Sequence, residues 1–315
     1  MTIPVTLEAS APDIASAIDA CRETLNSAAL RETTRRLRAL GLSESHCVEL
    51  IEEVGLQPDA AERVARLRAE LSIADAQDTA LEHCLLLHTA VAHRTRLIEL
   101  VMGTSVLHHL ADELLFLAAP PPQDRKYLSA PSPSFVAFAK IVTARRFPAG
   151  QLHFEVSGIP LSWLLHLGPR RLTRVLFFLA RNGGARRPFF CHHLTWRRKN
   201  RMMLVESEQN RSYYRIAQSL ALYPRVKGLL TESWLHSPDT FSVSPHLAWL
   251  NTPFLEYGGL VVVLGAAEES SGVFTASAKR RQLYDEGRFR PTTAMVLWPR
   301  AAMLAWASAH PEYGD

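Results

Sequence analysis

The sequence predicts an α+β protein, a helical N-terminal domain followed by a mixed α/β domain, and three observations carry that expectation. Apolar residues up to about residue 119 recur at helical spacing. The stretch 120–134 (PPPQDRKYLSAPSPS) then breaks the pattern with a proline-rich, extended path. Beyond it strand-like and helix-like segments alternate, as in a sheet covered on at least one face. The expected division is a helical domain over 1–119, a linker over 120–134 and a mixed domain over 135–315.

In the helical part, Ser10, Pro12 and Asp13 suit a helix start, and Gly41 suits a stop. Ser43 opens a short helix that Gly55 is expected to close. Pro58 fits a first helical turn, followed by Val64, Leu67 and Leu71 at helical spacing. Ile73, Ala76, Ala80, Cys84, Leu87, Val91 and Ile98 mark one stripe of a long helix, interrupted at Gly103 and Thr104. Leu107, Leu110, Leu114 and Leu117 continue on a further helix, which Pro120, Pro121 and Pro122 end.

In the mixed part, residues 151–156 alternate like a strand, and 161–167 and 172–180 read as helices. Residues 188–195 and 201–206 read as two strands of a hairpin joined by the basic turn Arg197–Asn200. A helix over 212–222, a strand over 226–234, a short helix over 245–250 and a strand over 260–265 follow. The chain is expected to close with a helix over 276–286, a strand over 292–298 and a helix from Ala301.

Bulk properties exclude several classes. Nearly half the residues are apolar and the net charge is only +4, as in ordinary globular chains. Four cysteines, Cys21, Cys47, Cys84 and Cys191, lie too far apart for a zinc knuckle or a disulfide scaffold. The N-terminus lacks the charge-then-apolar order of a signal peptide, and no uncharged run reaches the roughly 18–20 residues that span a bilayer. The expectation is a cytoplasmic protein that engages no membrane. The positive charge is clumped, around Arg170–Arg174, Arg181–Arg187, Arg197–Arg201 and Lys279–Arg290, a pattern able to attract an acidic partner. Too few aromatics alternate with these arginines for a base-stacking platform, so nucleic acid is disfavoured.

Histidines invite a metal reading. His83, His88 and His93 are five apart and point three ways from one helix, so they cannot form one site. His109 with Glu113, or His108 with Asp112, are four apart and can share a metal, but no repeated E-x-x-H arrangement accompanies them. No metal ligand is assigned. Cys191 and His193 share one face of a predicted strand, a nucleophile-and-base spacing for which no orienting third group is evident. Glycine-rich phosphate loops of the dinucleotide or P-loop type are absent, as is G-x-S-x-G.

The most informative stretch is Ser277-Ala-Lys-Arg-Arg-Gln-Leu-Tyr-Asp-Glu-Gly-Arg-Phe-Arg-Pro-Thr292, followed by Ala294-Met-Val-Leu-Trp298. A helix carrying Leu-Tyr, then a glycine, an aromatic and a closing strand resembles the end of a GNAT-type N-acyltransferase domain. The resemblance covers about residues 205–300. It implies that Tyr284 acts as general acid towards the departing thiolate, with Gly287 and Phe289 in the turn after the helix. It departs from the family at the pyrophosphate cradle, R/Q-x-x-G-x-G/A, of which Arg225-Val-Lys-Gly228 carries half. On that reading Glu232 is the first-choice base and Glu206, expected near the end of the hairpin, the second, with His193 a further catalytic candidate. Val226 and Gly228 lie where backbone amides would polarise the thioester carbonyl. Arg280 and Arg281 would bind a phosphopantetheine carrier or a substrate carboxylate.

The leading expectation is therefore acyl transfer from a coenzyme A or carrier-protein thioester to the amine of a small molecule, with no tightly bound cofactor. The helical domain would cover the cleft or mediate homodimerisation. The alternative is a non-catalytic binding or regulatory protein using its basic face for RNA or an acidic protein, and a third reading is a metalloenzyme with ligands from the helical domain.

Overall fold

The computed structural model describes residues 11–71, 79–119, 128–194, 204–267, 272–275 and 277–314. It is a mixed α+β protein that divides into two compact units, one ending at His153 and the other beginning at Phe154.

The first unit contains, among the described residues, helices α1 (Ala11–Leu25), α2 (Ala28–Ala39), α3 (Glu44–Leu56), α4 (Ala61–Glu70), α5 (Ala80–Ala92), α6 (Arg94–Ile98), α7 (Thr104–Ala118) and α8 (Pro133–Val142). Strand β1 (Arg146–Pro148) follows, and β2 (Leu152–Ser157) carries the chain into the second unit. Ser43 caps α3 as expected, accepting from the His46 amide at 3.3 Å while its own amide donates to His46 Nδ1. Gly55 does not close that helix. It lies inside α3, where a Cβ would come within 3.0 Å of Thr143 Oγ1 at the end of α8, so its small size serves helix packing.

The long helix expected from Ile73 to Ile98 is also corrected. Residues 72–78 lie outside the described set, α5 begins at Ala80, and the chain breaks at His93 before α6. Rather than showing one apolar stripe, α5 is buried from Leu81 to Ala90 on every side. Its polar groups must then find partners inside the protein. His83 Nε2 meets the Leu117 carbonyl at 2.5 Å, and Thr89 Oγ1 donates to the Leu85 carbonyl at 2.9 Å. Glu82 pairs with Arg68 of α4 and accepts from the Ala130 amide at 3.0 Å. Of the expected linker, 120–127 lie outside the described residues and Ser132 caps α8 through the Phe135 amide.

The second unit holds α9 (Leu161–His166), α10 (Pro169–Arg181), β3 (Phe189–Leu194), α11 (Glu206–Leu222), β4 (Gly228–Ser233), α12 (Pro238–Val243), α13 (Thr252–Glu256), β5 (Leu260–Ala266), α14 (Gly272–Thr275), α15 (Ala278–Asp285), β6 (Thr292–Pro299) and α16 (Arg300–Ala309). A 3₁₀ segment, Pro245–Asn251, links α12 to α13. The six strands form one mixed sheet in the order β1-β2-β3-β4-β6-β5. β3 and β4 are parallel, joined by α11, whereas β6 runs antiparallel to both β4 and β5.

The predicted basic hairpin is thus replaced in part. Residues 195–203 lie outside the described set, and Glu206 starts a helix instead of ending a strand. The physical reason is that Glu206 and Glu208 occupy the first turn, where acidic side chains favour a helix N-terminus. The buried side of α11, including Tyr213, Ile216, Ala217 and Leu220, then repeats at helical spacing.

One face of the sheet packs Phe189, Leu230, Leu260, Val262, Met295 and Leu297 against Val175 and Leu179 of α10. The other packs Phe154 on Phe190 and surrounds Tyr213 with Phe254, Trp298 and Trp306.

Candidate functional site

The pairing of β3 with β4 is brief. Only Phe190↔Leu229 and Cys191↔Leu230 are in register, although both strands run three residues further. The carboxyl ends of parallel strands are the usual place for a ligand in a sheet of this kind. Alternation along the strands sorts the side chains at that end. Cys191, His193, Leu230 and Glu232 share one face, and Phe190, His192, Leu229 and Thr231 share the other. Continuing the register two residues sets His193 opposite Glu232. The strands are still close one step earlier, where Thr231 Oγ1 donates to the His192 carbonyl at 3.4 Å.

His193 Nε2 lies 3.2 Å from Glu155 Oε1 of β2, with the imidazole 36% and the carboxylate 16% exposed. Glu155 is the orienting group that sequence spacing did not supply, because it arrives from 38 residues away in the chain. A carboxylate holding one ring nitrogen fixes the orientation of the imidazole and favours the imidazolium formed when it takes a proton. His193, Glu155 and half-buried Glu232 on one face therefore make an arrangement suited to accepting a proton.

The opposite face is different in kind. His192 is buried, neither ring nitrogen has a hydrogen-bond partner, and the ring stands edge-on to Tyr213 at 5.6 Å and to His236 at 6.2 Å. Burial holds the His192 ring well below the usual histidine range, reinforced by neighbouring His236 and His193. His236 is pushed down to about 4 by burial, which outweighs the opposing effect of its 2.8 Å contact with Asn251 Oδ1. Both rings are neutral near pH 7.

An apolar cluster follows β4 and gathers Trp234, Leu235, Leu250, Val273, Phe274 and Phe289, with Leu194 from the end of β3 packed against it. Tyr284 belongs to this cluster and stacks on Phe274, ring centroids 4.7 Å apart. The helix that carries it ends as the sequence implies, with Gly287 at φ +71° and the Arg288 amide donating to the Leu283 carbonyl at 2.8 Å. Arg280 is buried. Its Nε donates to the Val273 carbonyl at 2.8 Å, its Nη1 to Ser244 Oγ at 3.2 Å, and its guanidinium lies 4.7 Å above the Trp234 ring. No carboxylate pairs with it among the described residues, and burial lowers its affinity for its proton. Arg281 instead stays exposed beside Asp285 at 3.2 Å and leans on Phe274.

His193 and Glu232 thus lie at the carboxyl ends of β3 and β4, while α15 brings Tyr284 and Arg280 to the apolar cluster that includes Trp234 after β4. Three other candidates are placed elsewhere. Val226 and Gly228 lie at the opposite, amino end of β4. The Val226 amide is committed to the Tyr223 carbonyl at 3.0 Å. Gly228, at φ +148°, is needed because a Cβ would stand 2.0 Å from the Trp298 carbonyl oxygen. Glu206 is an exposed residue of the first turn of α11.

Among the described residues no three His, Cys, Asp or Glu side chains are grouped to hold a metal ion. No described helix is long and apolar enough to cross a membrane. Comparison with protein-family models, with curated proteins and with solved structures returned no match.

Proposed function

We propose that the second unit transfers an acyl group from a thioester, of coenzyme A or of a carrier protein, to an amine, in the manner of a GNAT-type N-acyltransferase. The observation that carries this reading is that the pairing of parallel β3 and β4 stops short of their carboxyl ends, with a His193–Glu155 pair and Glu232 on one face there. Strand ends that leave their backbone groups unpaired with each other offer partners to an extended thioester arm.

The amine nitrogen attacks the thioester carbonyl carbon, and the proton it loses passes to His193, which Glu155 orients. Glu232, facing the same side, is the other acceptor within the arrangement. The carbon–sulfur bond then breaks with its electron pair on sulfur, and the Tyr284 hydroxyl supplies the proton that makes the free thiol. Arg280, already desolvated over Trp234 and with no carboxylate partner among the described residues, suits a phosphate or carboxylate on the donor or acceptor.

The test is twofold. Acyl-coenzyme A, coenzyme A and acylated carrier protein are screened for a rise in melting temperature, since a ligand bound only by the native state stabilises it. Thiol release is then followed with a panel of amines. Stabilisation by a thioester, with thiol release that depends on amine, supports the reading; no response to any thioester removes it.

A further inference from the structure

The connection between β2 and β3 is chemically one-sided. From Glu155 to Glu206 the chain carries no acidic residue at all, while arginines cluster on and after α10. Among the large apolar side chains that stand exposed, four fall on the two helices of this connection: Leu161 and Leu165 on α9, Leu176 and Phe177 on α10. Leu165 is 83% exposed and Phe177 63%, values that a packed helix layer does not require.

The direction of these side chains follows from helix geometry. Val175 and Leu179 are the buried residues of α10 and pack on the sheet face that includes Leu260 and Met295. At about 100° per residue, Phe177 projects about 200° from Val175, straight away from the sheet, with Arg170, Arg174 and Arg181 within about 60° of it. Arg181 lies 5.7 Å from the Phe177 ring. On α9, Leu161 and Leu165 are one turn apart and share the outward side, opposite half-buried Trp163.

We infer that α9 and α10 form a docking face for an anionic lipid bilayer, with Phe177, Leu165 and Leu161 entering the headgroup–acyl boundary and the α10 arginines meeting lipid phosphates and carboxylates. The combination is what selects the partner. Apolar side chains projecting from a cationic helix match an interfacial helix, in which basic stems reach towards headgroups while leucine and phenylalanine leave water. A nucleic acid would use the arginines but gain nothing from Leu161 and Leu165. A second copy of the chain would set this acid-free face against itself, which like charge opposes. Attachment to a surface, without crossing it, would depart from the sequence expectation of a protein that engages no membrane, and the inference is independent of the reaction the second unit performs.

Flotation of the full chain with phosphatidylcholine vesicles, with and without added phosphatidylserine, tests the inference. Binding is expected with phosphatidylserine and at least about tenfold weaker without it, and it should fall as salt rises. The pair Leu165→Ser and Phe177→Ser should weaken binding by about tenfold or more. Neutralising Arg170, Arg174 and Arg181 to Gln should cost about fivefold each at low salt. All five side chains are exposed, so an unchanged melting temperature checks that the variants fold. Equal binding to both vesicle types, no binding to either, or full binding by the Ser pair overturns the proposal. So does retention of the Ser pair on single-stranded RNA at wild-type strength together with loss of vesicle binding by neither variant.

Discussion

Acidification should destabilise the second unit through its buried neutral histidines. His236 titrates at about 4 when folded, against an ordinary value near 6.5 for the unfolded chain. The sign follows from proton counting. Between those values the unfolded chain binds a proton that the folded protein refuses, so stability falls as pH drops below about 6.5 and the loss is complete near pH 4. At pH 5 the interval is about 1.5 pH units, or about 2 kcal/mol at 1.36 kcal/mol per unit, and it grows to about 3 kcal/mol by pH 4. Burial leaves no solvent screening to discount. His192 acts in the same direction, its ring held well below 6.5. The assay is urea unfolding at pH 7, 6 and 5, read by tryptophan fluorescence, in the wild type and in His236→Leu and His192→Leu. Each variant changes absolute stability, but the readout is the difference between pH 7 and pH 5. That difference should shrink by about 2 kcal/mol in His236→Leu and also shrink in His192→Leu. Equal pH differences in all three proteins would refute the reasoning.

Other substitutions probe the rest of the molecule. Gly228→Ala forces a Cβ against the Trp298 carbonyl oxygen at a positive φ, and should destabilise by about 3 kcal/mol or more, visible as a lowered urea midpoint. Arg68→Ala leaves Glu82 buried without its cation; about 3–5 kcal/mol should be lost, which thermal denaturation measures. In a preparation with measurable thiol release, Tyr284→Phe should lower turnover by about 10²-fold or more with little change in melting temperature, since the ring packing survives. His193→Asn should lower turnover by about 10²-fold, and turnover equal to wild type would remove His193 from the mechanism.

The helical half and most strands were legible because their signals are local. Ser43 announced the cap of α3, and the apolar runs at 260–265 and 292–298 became β5 and β6 with small changes at their ends. Where reading failed, distant residues decided. α5 looked like one stripe of a longer helix, yet it is enclosed on all sides, and Gly55 serves the approach of Thr143 from α8 rather than a helix end. Glu206 is the exception, since Glu206 and Glu208 in the first turn are a local helix signal although the expectation places Glu206 in a strand.

The candidate site divides the same way. Tyr284, Gly287 and Phe289 sit within one short segment, so the helix was legible in the local pattern, and the turn after it was what the resemblance implied. Glu155 could not be found, because nothing near His193 in the chain points to a residue on β2. Taken alone, the sequence determined which segments are helix or strand and which faces are apolar, since these depend on side chains only a few positions apart. Tertiary structure decided that β3 lies parallel to β4, that His193 meets Glu155, and that Phe177 faces outward. Those outcomes depend on how strands separated by whole helices align, and alignment is set by packing across the sheet rather than by any local run of residues.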